Sequence, residues 1–212
     1  MGFRSALLIV LIILMLGFCG HAPAQACTGT ARTTVSGTVY APNGTDPLPN
    51  VTVYIPTTTV DVFAPGVSCP IVGAPPSGAP VIGTETDVHG NFTLYDVPAA
   101  SNIPLVIVSG RWRRQLTIPS VTACVQNAMP ATFAVMPSDH TQGDIPLIAI
   151  ATGAADAVEC VLRKVGIQDS EFTNPGGGGR INLFGAAGVS GSGVVLNPAT
   201  PTQSSLMGGN GS

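Results

Sequence analysis

The stretch GTETDVHGNFTLYDVPA, residues 83–99, decides the fold because its turn residues and its strand pattern specify each other. Asp87 can accept backbone N–H hydrogen bonds within its own turn, and Gly90 can adopt a positive φ. After the turn, Phe92 and Leu94 alternate with polar neighbours, so both apolar side chains point to one face of a strand. The stretch therefore predicts a strand, a tight turn and a second strand.

Similar patterns flank this hairpin on both sides. Upstream, VSGTVYAPNGTDPLPNVTVYIP (residues 35–56) predicts two alternating strands around a loop rich in Pro, Asn and Gly. Downstream, NIPLVIVSGRWRRQL (residues 102–116) predicts a mid-sheet apolar strand, a break at Gly110 and another alternating strand. Residues 131–136 complete a set of about seven strands, the number typical of an immunoglobulin-like or prealbumin-like sandwich. The long insertion at residues 57–80 is predicted to be an ordered flap or a binding loop.

Three segments together resemble the carboxypeptidase regulatory-like domain family: V-S-G-T-V, P-L-P-N-V-T-V-Y-I and T-D-V-H-G-N-F-T-L-Y-D-V-P. That family is itself similar to bacterial B-type surface repeats and to transthyretin-like sandwiches. The resemblance covers residues 33–136, and its most specific part is T-D-x-x-G-x-F, which contains Asp87, Gly90 and Phe92. Residues 99–101 are Ala-Ala-Ser where the family usually has a glycine, so the turn that follows is expected to differ. The resemblance implies a β-sandwich that supports or binds other molecules and does not catalyse.

The composition restricts the possible partners and compartment. Charged residues make up 9% of the chain, and Lys164 is the single lysine. A surface this poor in charge must be built from Thr, Ser, Asn and Gln, which is typical of an extracytoplasmic β protein. The net charge of −3 gives no electrostatic footprint for nucleic acid, because only one short run is locally basic: Arg111, Arg113 and Arg114.

Residues 1–26 have the features of a signal peptide. Arg4 forms a short positive region, residues 6–18 are apolar, and residues 24–26 supply the small side chains that a signal peptidase recognises. We predict cleavage before Cys27. The apolar run is shorter than the roughly 20 residues of a membrane-spanning helix, so no transmembrane segment is expected after removal of the leader.

The cysteines become informative once export is assumed. Cys19 belongs to the leader, and its lipidation is disfavoured because the preceding Phe18 is too large for a lipoprotein cleavage site. Four cysteines then remain in an oxidising compartment and predict two disulfides: Cys27, Cys69, Cys124 and Cys160. Sequence leaves all three pairings open. We prefer Cys69 with Cys124, because both lie in predicted loops that interrupt the sandwich.

The pattern of apolar residues along the chain changes at Gly143. Residues 145–151 predict a short buried strand, and residues 154–165 predict a helix with Thr152 or Asp156 as its cap and one apolar face: Val158, Val161, Leu162 and Val165. Gly166 suits the position just after the helix. A strand followed by a helix would open an α/β unit.

The remaining chain does not clearly complete such a unit. Residues 174–180 form a glycine run that reads as a linker, and residues 181–184 give only a very short possible strand. The chain therefore divides into a signal peptide (1–26), a β-sandwich (27–140), a short strand–helix segment (141–184) that we interpret as the start of a truncated second domain, and a flexible Gly/Ser-rich tail (185–212). Its C-terminal part is expected to be poorly packed.

Motifs for catalysis and metal binding are not found in the sequence. No His-x-x-Glu pair accompanies the three histidines His21, His89 and His140, so the zinc site of carboxypeptidases is not expected. Gly-x-Ser-x-Gly is missing, and the glycine run lacks the Lys-Ser/Thr of a phosphate-binding loop. No catalytic residue, metal or cofactor is predicted, and His89 is interpreted as an exposed turn residue.

The strongest candidate for ligand binding is the group Arg111, Trp112 and Arg113. An exposed indole could stack on a sugar ring, while the flanking guanidiniums hydrogen-bond hydroxyls or carboxylates. Alternatively, the single tryptophan fills the sandwich core and the two arginines are solvated on the outer face. We therefore expect a non-catalytic secreted, periplasmic or cell-surface module that binds a carbohydrate or envelope polymer. The alternative is an N-terminal fragment of a larger extracytoplasmic enzyme or outer-membrane receptor.

Overall fold

The computed structural model describes residues 27–64, 75–153, 157–185 and 196–206. Its first part contains seven strands: β1 (Thr34–Thr38), β2 (Thr52–Pro56), β3 (Pro80–Glu85), β4 (Asn91–Tyr95), β5 (Ser101–Ser109), β6 (Trp112–Ser120) and β7 (Gln126–Ala128). They form two sheets with the orders β4-β1-β7 and β3-β2-β5-β6. The pairs are antiparallel except β1 with β7, which is parallel. β5 lies inside its sheet, as its continuous apolar run predicted.

The two sheets share one hydrophobic core. Val35, Phe92 and Leu94 contribute to it from the first sheet, and Leu105 and Ile107 contribute from the second. Alternation places these side chains on the facing surfaces, and each buried one stabilises the fold by about 1.5–3 kcal/mol relative to exposure. The prediction of a mainly β sandwich is confirmed.

The turn at residues 87–90 explains the most specific sequence motif. Asp87 Oδ1 accepts the backbone N–H groups of His89 and Asn91, each at 2.8 Å. The Asn91 N–H holds the pKa of this carboxyl below its usual value. Gly90 has φ of 75°, and a Cβ there would lie 2.9 Å from Pro47 Cβ. The motif therefore requires an acceptor at the first position and the absence of a side chain at the second.

The seventh strand differs from the prediction. Residues 131–133 form a turn, closed by a hydrogen bond from Phe133 N–H to Pro130 O at 2.9 Å. Val135 makes only an isolated parallel bridge, to Tyr40. The strand is instead β7, which pairs with Thr34–Ser36 although its sequence, QNA, has no apolar alternation. Backbone pairing to β1 decides this strand, and that pairing leaves no local signal in the sequence.

The chain after the sandwich builds a second, parallel sheet. Its elements are β8 (Ile148–Thr152), helix α1 (Val158–Lys164), a 3-10 turn (Asp169–Glu171), β9 (Phe172–Thr173), β10 (Ile181–Gly185) and the short helix α2 (Gln203–Leu206). β10 pairs in parallel with both β8 and β9. The expectation that nothing completes an α/β unit is therefore wrong, because β10 closes it. The expectation of poor packing is also wrong in this part, since Ile181 and Leu183 are buried. We call residues 144–185 the parallel unit.

Helix α1 packs through only part of its predicted apolar face: Leu162 and Val165 contact the core of the parallel unit, as predicted. Val158 and Val161 are half exposed, whereas Glu159 is buried. Among the described residues, no side chain caps the N-terminus of the helix, and Thr152 lies in β8, where its hydroxyl donates to Phe184 O at 3.3 Å. The other predicted cap, Asp156, is outside the described residues. Gly166, with φ of 100°, follows the helix as predicted.

Part of the predicted tail contacts the parallel unit. Thr200 Oγ1 donates to Asn174 Oδ1 at 2.8 Å, and Gly185 N–H donates to Pro201 O at 2.8 Å. Gly185 also forms a parallel bridge with Thr202. Residues 196–206 thus return to the end of β10. None of the helices formed by the described residues has the length and hydropathy needed to span a membrane.

Among the described residues, one disulfide is present, and it joins Cys27 to Cys124. The preferred pairing of Cys69 with Cys124 is therefore wrong. The parallel alignment of β7 with β1 brings Cys124 to the start of β1, where its N–H donates to Thr33 Oγ1 at 2.8 Å. Cys160 is an exposed free thiol. Cys69, like the predicted leader with Cys19, lies outside the described residues.

Candidate functional site

The described parts of the long insertion lie against the outer face of the second sheet. These parts, residues 57–64 and 75–79, are called the flap. The backbone N–H groups of Thr57 and Thr58 both donate to Gly78 O, at 2.9 and 3.1 Å, which ties the two halves of the flap together. Val60 packs into a small cluster with Tyr54 and Val106 on the outer face of the sheet. The described parts of the insertion are thus ordered.

Arg113 lies buried beneath the flap. Its Nε donates to Asp144 Oδ2 at 2.8 Å, and the Phe63 ring centre lies 4.1 Å from its Cζ. The backbones of Arg113 and Asp144 also exchange two hydrogen bonds. Burial raises the pKa of neighbouring Tyr54, and the charge of Arg113 opposes that increase. Arg113 is therefore an internal cation with a carboxylate and an aromatic partner.

Trp112 points to the opposite side of β6. Its indole is half buried and packs against both the sandwich core and the core of the parallel unit. The indole N–H donates to Pro137 O at 3.1 Å. Trp112 therefore joins the two regions, and the next residue on its face, Arg114, donates to Val135 O at 2.8 Å.

A cleft opens where the flap meets the parallel unit, and we call it the junction cleft. Its volume is about 420 Å³, and it is lined by Phe63, Ala64, Arg111, His140, Gly143, Asp144, Ile145, Leu147, Gly178 and Arg180. Arg111 Nη2 donates to Ala64 O at 2.7 Å, and its guanidinium lies 5.1 Å from the Phe63 ring centre. On the other wall, Arg180 Nε donates to Ile145 O at 2.9 Å. Two guanidiniums on separate elements therefore share one cavity.

His140 is oriented by a fully buried carboxylate. Glu171 Oε1 accepts the backbone N–H of His140 at 2.8 Å and lies 2.6 Å from its Nδ1. The second oxygen, Oε2, accepts the N–H of Arg180 at 2.9 Å. Because Glu171 is an acceptor, Nδ1 carries the hydrogen, and Nε2 has no hydrogen-bond partner within the described chain. The ring is about half exposed and borders the junction cleft.

Asp139 connects the sandwich to the parallel unit through side-chain hydrogen bonds. Its Oδ1 accepts the N–H of Thr141 at 2.8 Å and also the Thr141 hydroxyl. Its Oδ2 accepts the side-chain amides of Gln142 and Gln168, each at 2.9 Å. The hydrogen bond from the Thr141 hydroxyl above all, and with it the bond from the Thr141 N–H, holds the pKa of Asp139 below its usual value.

The structure places the three residues that the sequence singled out in different surroundings. Arg111 lines the junction cleft, Arg113 lies beneath it, and Trp112 faces away from it. Asp144 and Arg180 were missed. Their only local signals are positions beside a strand and at the end of a glycine run that reads as a linker. His89 is exposed in its turn, as predicted.

A metal centre has no support in the described residues, where no group of three His, Cys, Asp or Glu side chains could hold an ion. A nucleophile is not brought into hydrogen-bond contact with His140 in the described chain either. The arrangement is suited to holding a polar, anionic group by hydrogen bonds from fixed guanidiniums.

No protein-family model matches the chain, and no curated protein matches it. Two similar solved structures are mutants of a type II cohesin–X-dockerin complex from Acetivibrio cellulolyticus. One has 19% identity over 64% of this chain and 85% of its own, and the other 22% over 63% and 86%, each with a TM-score of 0.33. The β-sandwich implied by the resemblance to carboxypeptidase regulatory-like domains is present. The chemistry of the site follows from the residues that line it.

Proposed function

We propose that the protein is a non-catalytic extracytoplasmic β-sandwich module, of the carboxypeptidase regulatory-like type, that binds a carbohydrate or another envelope polymer. The junction cleft is the observation that carries this proposal. Arg111 and Arg180 line it from two elements, while Phe63 and Leu147 add apolar surface. Concave sites with a few convergent polar groups on partly apolar walls are typical of ligand binding.

The three residues singled out in the sequence take different parts in this proposal. Arg111 contacts the ligand. Arg113 keeps Asp144 in place by a hydrogen-bonded ion pair, and it keeps Phe63 in place because its guanidinium lies against the ring. Trp112 fixes the angle between the sandwich and the parallel unit, and so maintains the width of the cleft. A stacked sugar would have to lie against Phe63 or the arginines.

The extracytoplasmic location is supported by the disulfide. A bond between Cys27 and Cys124 forms and persists in oxidising compartments. Cys27 is also the first residue after the predicted signal peptide, which agrees with an exported mature chain that starts at this cysteine.

The non-catalytic role is supported by the surroundings of His140. Its ring bonds to Glu171, as in a general base held by a carboxylate, but no Ser, Thr or Cys of the described chain reaches the other nitrogen. Nucleophilic catalysis requires that contact. His140 is therefore assigned to binding.

The test is a binding screen of the mature protein against envelope polysaccharides by affinity electrophoresis. Arg111→Ala is expected to weaken binding by about ten-fold or more, because a charge-assisted contact is lost. Arg32→Ala is the matched control, since Arg32 is exposed and pairs with Asp96 at 3.3 Å, away from the cleft. Equal binding by Arg111→Ala and the parent protein would contradict the proposal.

Trp112→Phe separates stacking from positioning. It keeps most of the packing and removes the hydrogen bond to Pro137 O. If Trp112 only positions the cleft, the ligand contacts remain and the melting temperature falls more clearly than the affinity. A large loss of affinity with unchanged melting would indicate direct contact between the indole and the ligand.

A further inference from the structure

We propose that the junction cleft recognises the carboxylate of an acidic sugar, so that the ligand is a uronate-containing polysaccharide and not a neutral one. This inference rests on the proposed function and names the ligand class of the same site. Its residues include His140, Asp144 and Arg180, none of which the sequence pattern marked for binding.

The charge of the cleft is opposite to that of the chain. The whole chain carries a net charge of −3 with eight Lys and Arg residues in total. Two of these eight, Arg111 and Arg180, line the cleft together with one carboxylate, Asp144. Two positive charges less one negative charge leave +1 with neutral His140, and Asp144 is already paired with Arg113. An acidic protein that concentrates cations at one cavity attracts anions there.

The guanidinium of Arg180 is held in place before any ligand arrives. Its Nε donates to Ile145 O at 2.9 Å, and its backbone N–H donates to the buried Glu171 at 2.9 Å. Neither Nη1 nor Nη2 of Arg180 bonds to another residue of the described chain. A fixed fork with two remaining donor nitrogens matches the geometry of a carboxylate, and little side-chain entropy is lost on binding.

His140 supplies a second kind of contact. Glu171 fixes its Nδ1 as a donor, so the neutral ring offers Nε2 to the cleft as an acceptor for a hydroxyl hydrogen. A protonated ring would instead donate to a carboxylate. Both arrangements suit a sugar acid, which carries hydroxyls beside its carboxylate.

Asp144 distinguishes a sugar acid from an acidic peptide. Its Oδ2 is bonded to Arg113, whereas Oδ1 has no partner in the described chain and the side chain is partly exposed. A carboxylate oxygen accepts hydrogen bonds from hydroxyls and repels further carboxylates. Cations beside such an acceptor favour a ligand that has one acid group and several hydroxyls on the same unit.

The test uses oligogalacturonate, its methyl ester and hexaglutamate as probes for calorimetric titration of the mature protein at low and at physiological salt. The acid form is expected to bind about ten-fold or more tightly than the ester, and salt is expected to weaken this binding. Arg180→Gln is expected to abolish the preference for the acid form. Arg163→Gln is the matched control, because Arg163 is exposed on α1 and pairs with Asp169 outside the cleft.

Each other outcome is decisive. Equal binding of acid and ester overturns the acid-sugar inference but leaves the proposed polymer binding intact. No binding to these or any envelope polysaccharide removes both. Tighter binding of hexaglutamate identifies an acidic peptide site and overturns the sugar assignment. If Arg180→Gln does not fold, Arg111→Gln tests the same preference from the opposite wall, and retention of the preference there contradicts the inference.

Discussion

The sandwich and the parallel unit bury their cores in different ways. In the sandwich, two sheets face each other, so strands such as β4 alternate between buried and exposed residues. In the parallel unit, β10 is the central strand and four of its five residues are buried. Trp112, which belongs to the sandwich, also packs against the core of the parallel unit. We therefore expect the parallel unit to depend on its contacts with the sandwich for part of its stability.

Contacts at the end of helix α1 support the same conclusion. Asn43, in a turn of the sandwich, donates from its backbone to Val165 O at 2.9 Å and from its side chain to Lys164 O at 3.2 Å. These are carbonyl groups of the last helical turn, which need partners from outside the helix. The sandwich therefore caps the helix of the parallel unit, and we expect the unit to open locally before the sandwich unfolds.

The largest expected effect comes from removing one leucine from each core. Leu105→Ala is expected to lower the free energy of global unfolding by about 4 kcal/mol, because this buried side chain lies in the larger core and its cavity cannot collapse. Leu183→Ala is expected to cost about 2 kcal/mol, because its smaller core can relax around the cavity. Urea denaturation measures the first change, and native-state hydrogen exchange of β10 measures the second.

The same pair of variants tests the dependence between the regions. Leu183→Ala is expected to increase exchange in β8 and β10 and to leave β2 and β5 protected. Equal loss of protection in all four strands would show that the molecule is one cooperative unit, and the contrast between the two regions would then be wrong.

Removal of the disulfide tests the difference between the two regions by destabilising the sandwich alone. Cys27 and Cys124 are 97 residues apart and both belong to the sandwich. Cys124→Ser is expected to reduce the free energy of global unfolding by about 3 kcal/mol, chiefly because the unfolded chain gains freedom. Local opening of the parallel unit should not change. Cys160→Ser, at an exposed thiol, is the control and should stay within about 0.5 kcal/mol of the parent in thermal and urea unfolding.

The difference between the regions also explains what the sequence could predict. Alternation along β2, β4 and β6 is a local property, and in β4 Phe92 and Leu94 were placed correctly on one face. The face of α1 is not local: Val158 is exposed and Glu159 is buried because of the elements that the helix contacts. Strand β7 and the disulfide partner of Cys124 depend in the same way on pairing with β1, which no nearby residue encodes.

The junction cleft follows the same rule. Arg111 was identified because its neighbours form an unusual basic and aromatic group. Arg180 and Glu171 were not, since they reach the cleft through the parallel pairing of β9 and β10. A site built across two regions combines residues that are distant in sequence. Local sequence patterns cannot show that combination.

Substitution within the glycine run is expected to have a smaller effect on stability, confined to the parallel unit. A Cβ on Gly179 would lie 2.3 Å from Glu171 O, so Gly179→Ala forces β9 and β10 apart and is expected to cost about 2 kcal/mol in the opening of this unit. Gly178→Ala is the matched neighbour, because nothing lies within 4 Å of its added Cβ. We expect no measurable loss of stability there. Exchange rates of β10 amides distinguish the two variants, and equal rates would mean that the run is only a linker.

The smallest expected effect on stability comes from the hydrogen bonds of Asp139 between the two regions. This effect appears only at acidic pH. The pKa of Asp139 is lowered in the folded protein, so its contribution to stability is present above the unfolded value of about 3.9 and is lost as the pH falls through the lower folded value. In Asp139→Asn, the dependence of stability on pH below about 4 should be flatter than in the parent protein. Asp87, whose pKa is also lowered, lies in the sandwich and provides the comparison. Asp139→Asn should change the acid sensitivity of exchange in β8 and β10, whereas Asp87→Asn should change it in β3 and β4; the reverse pattern would contradict the division into two regions.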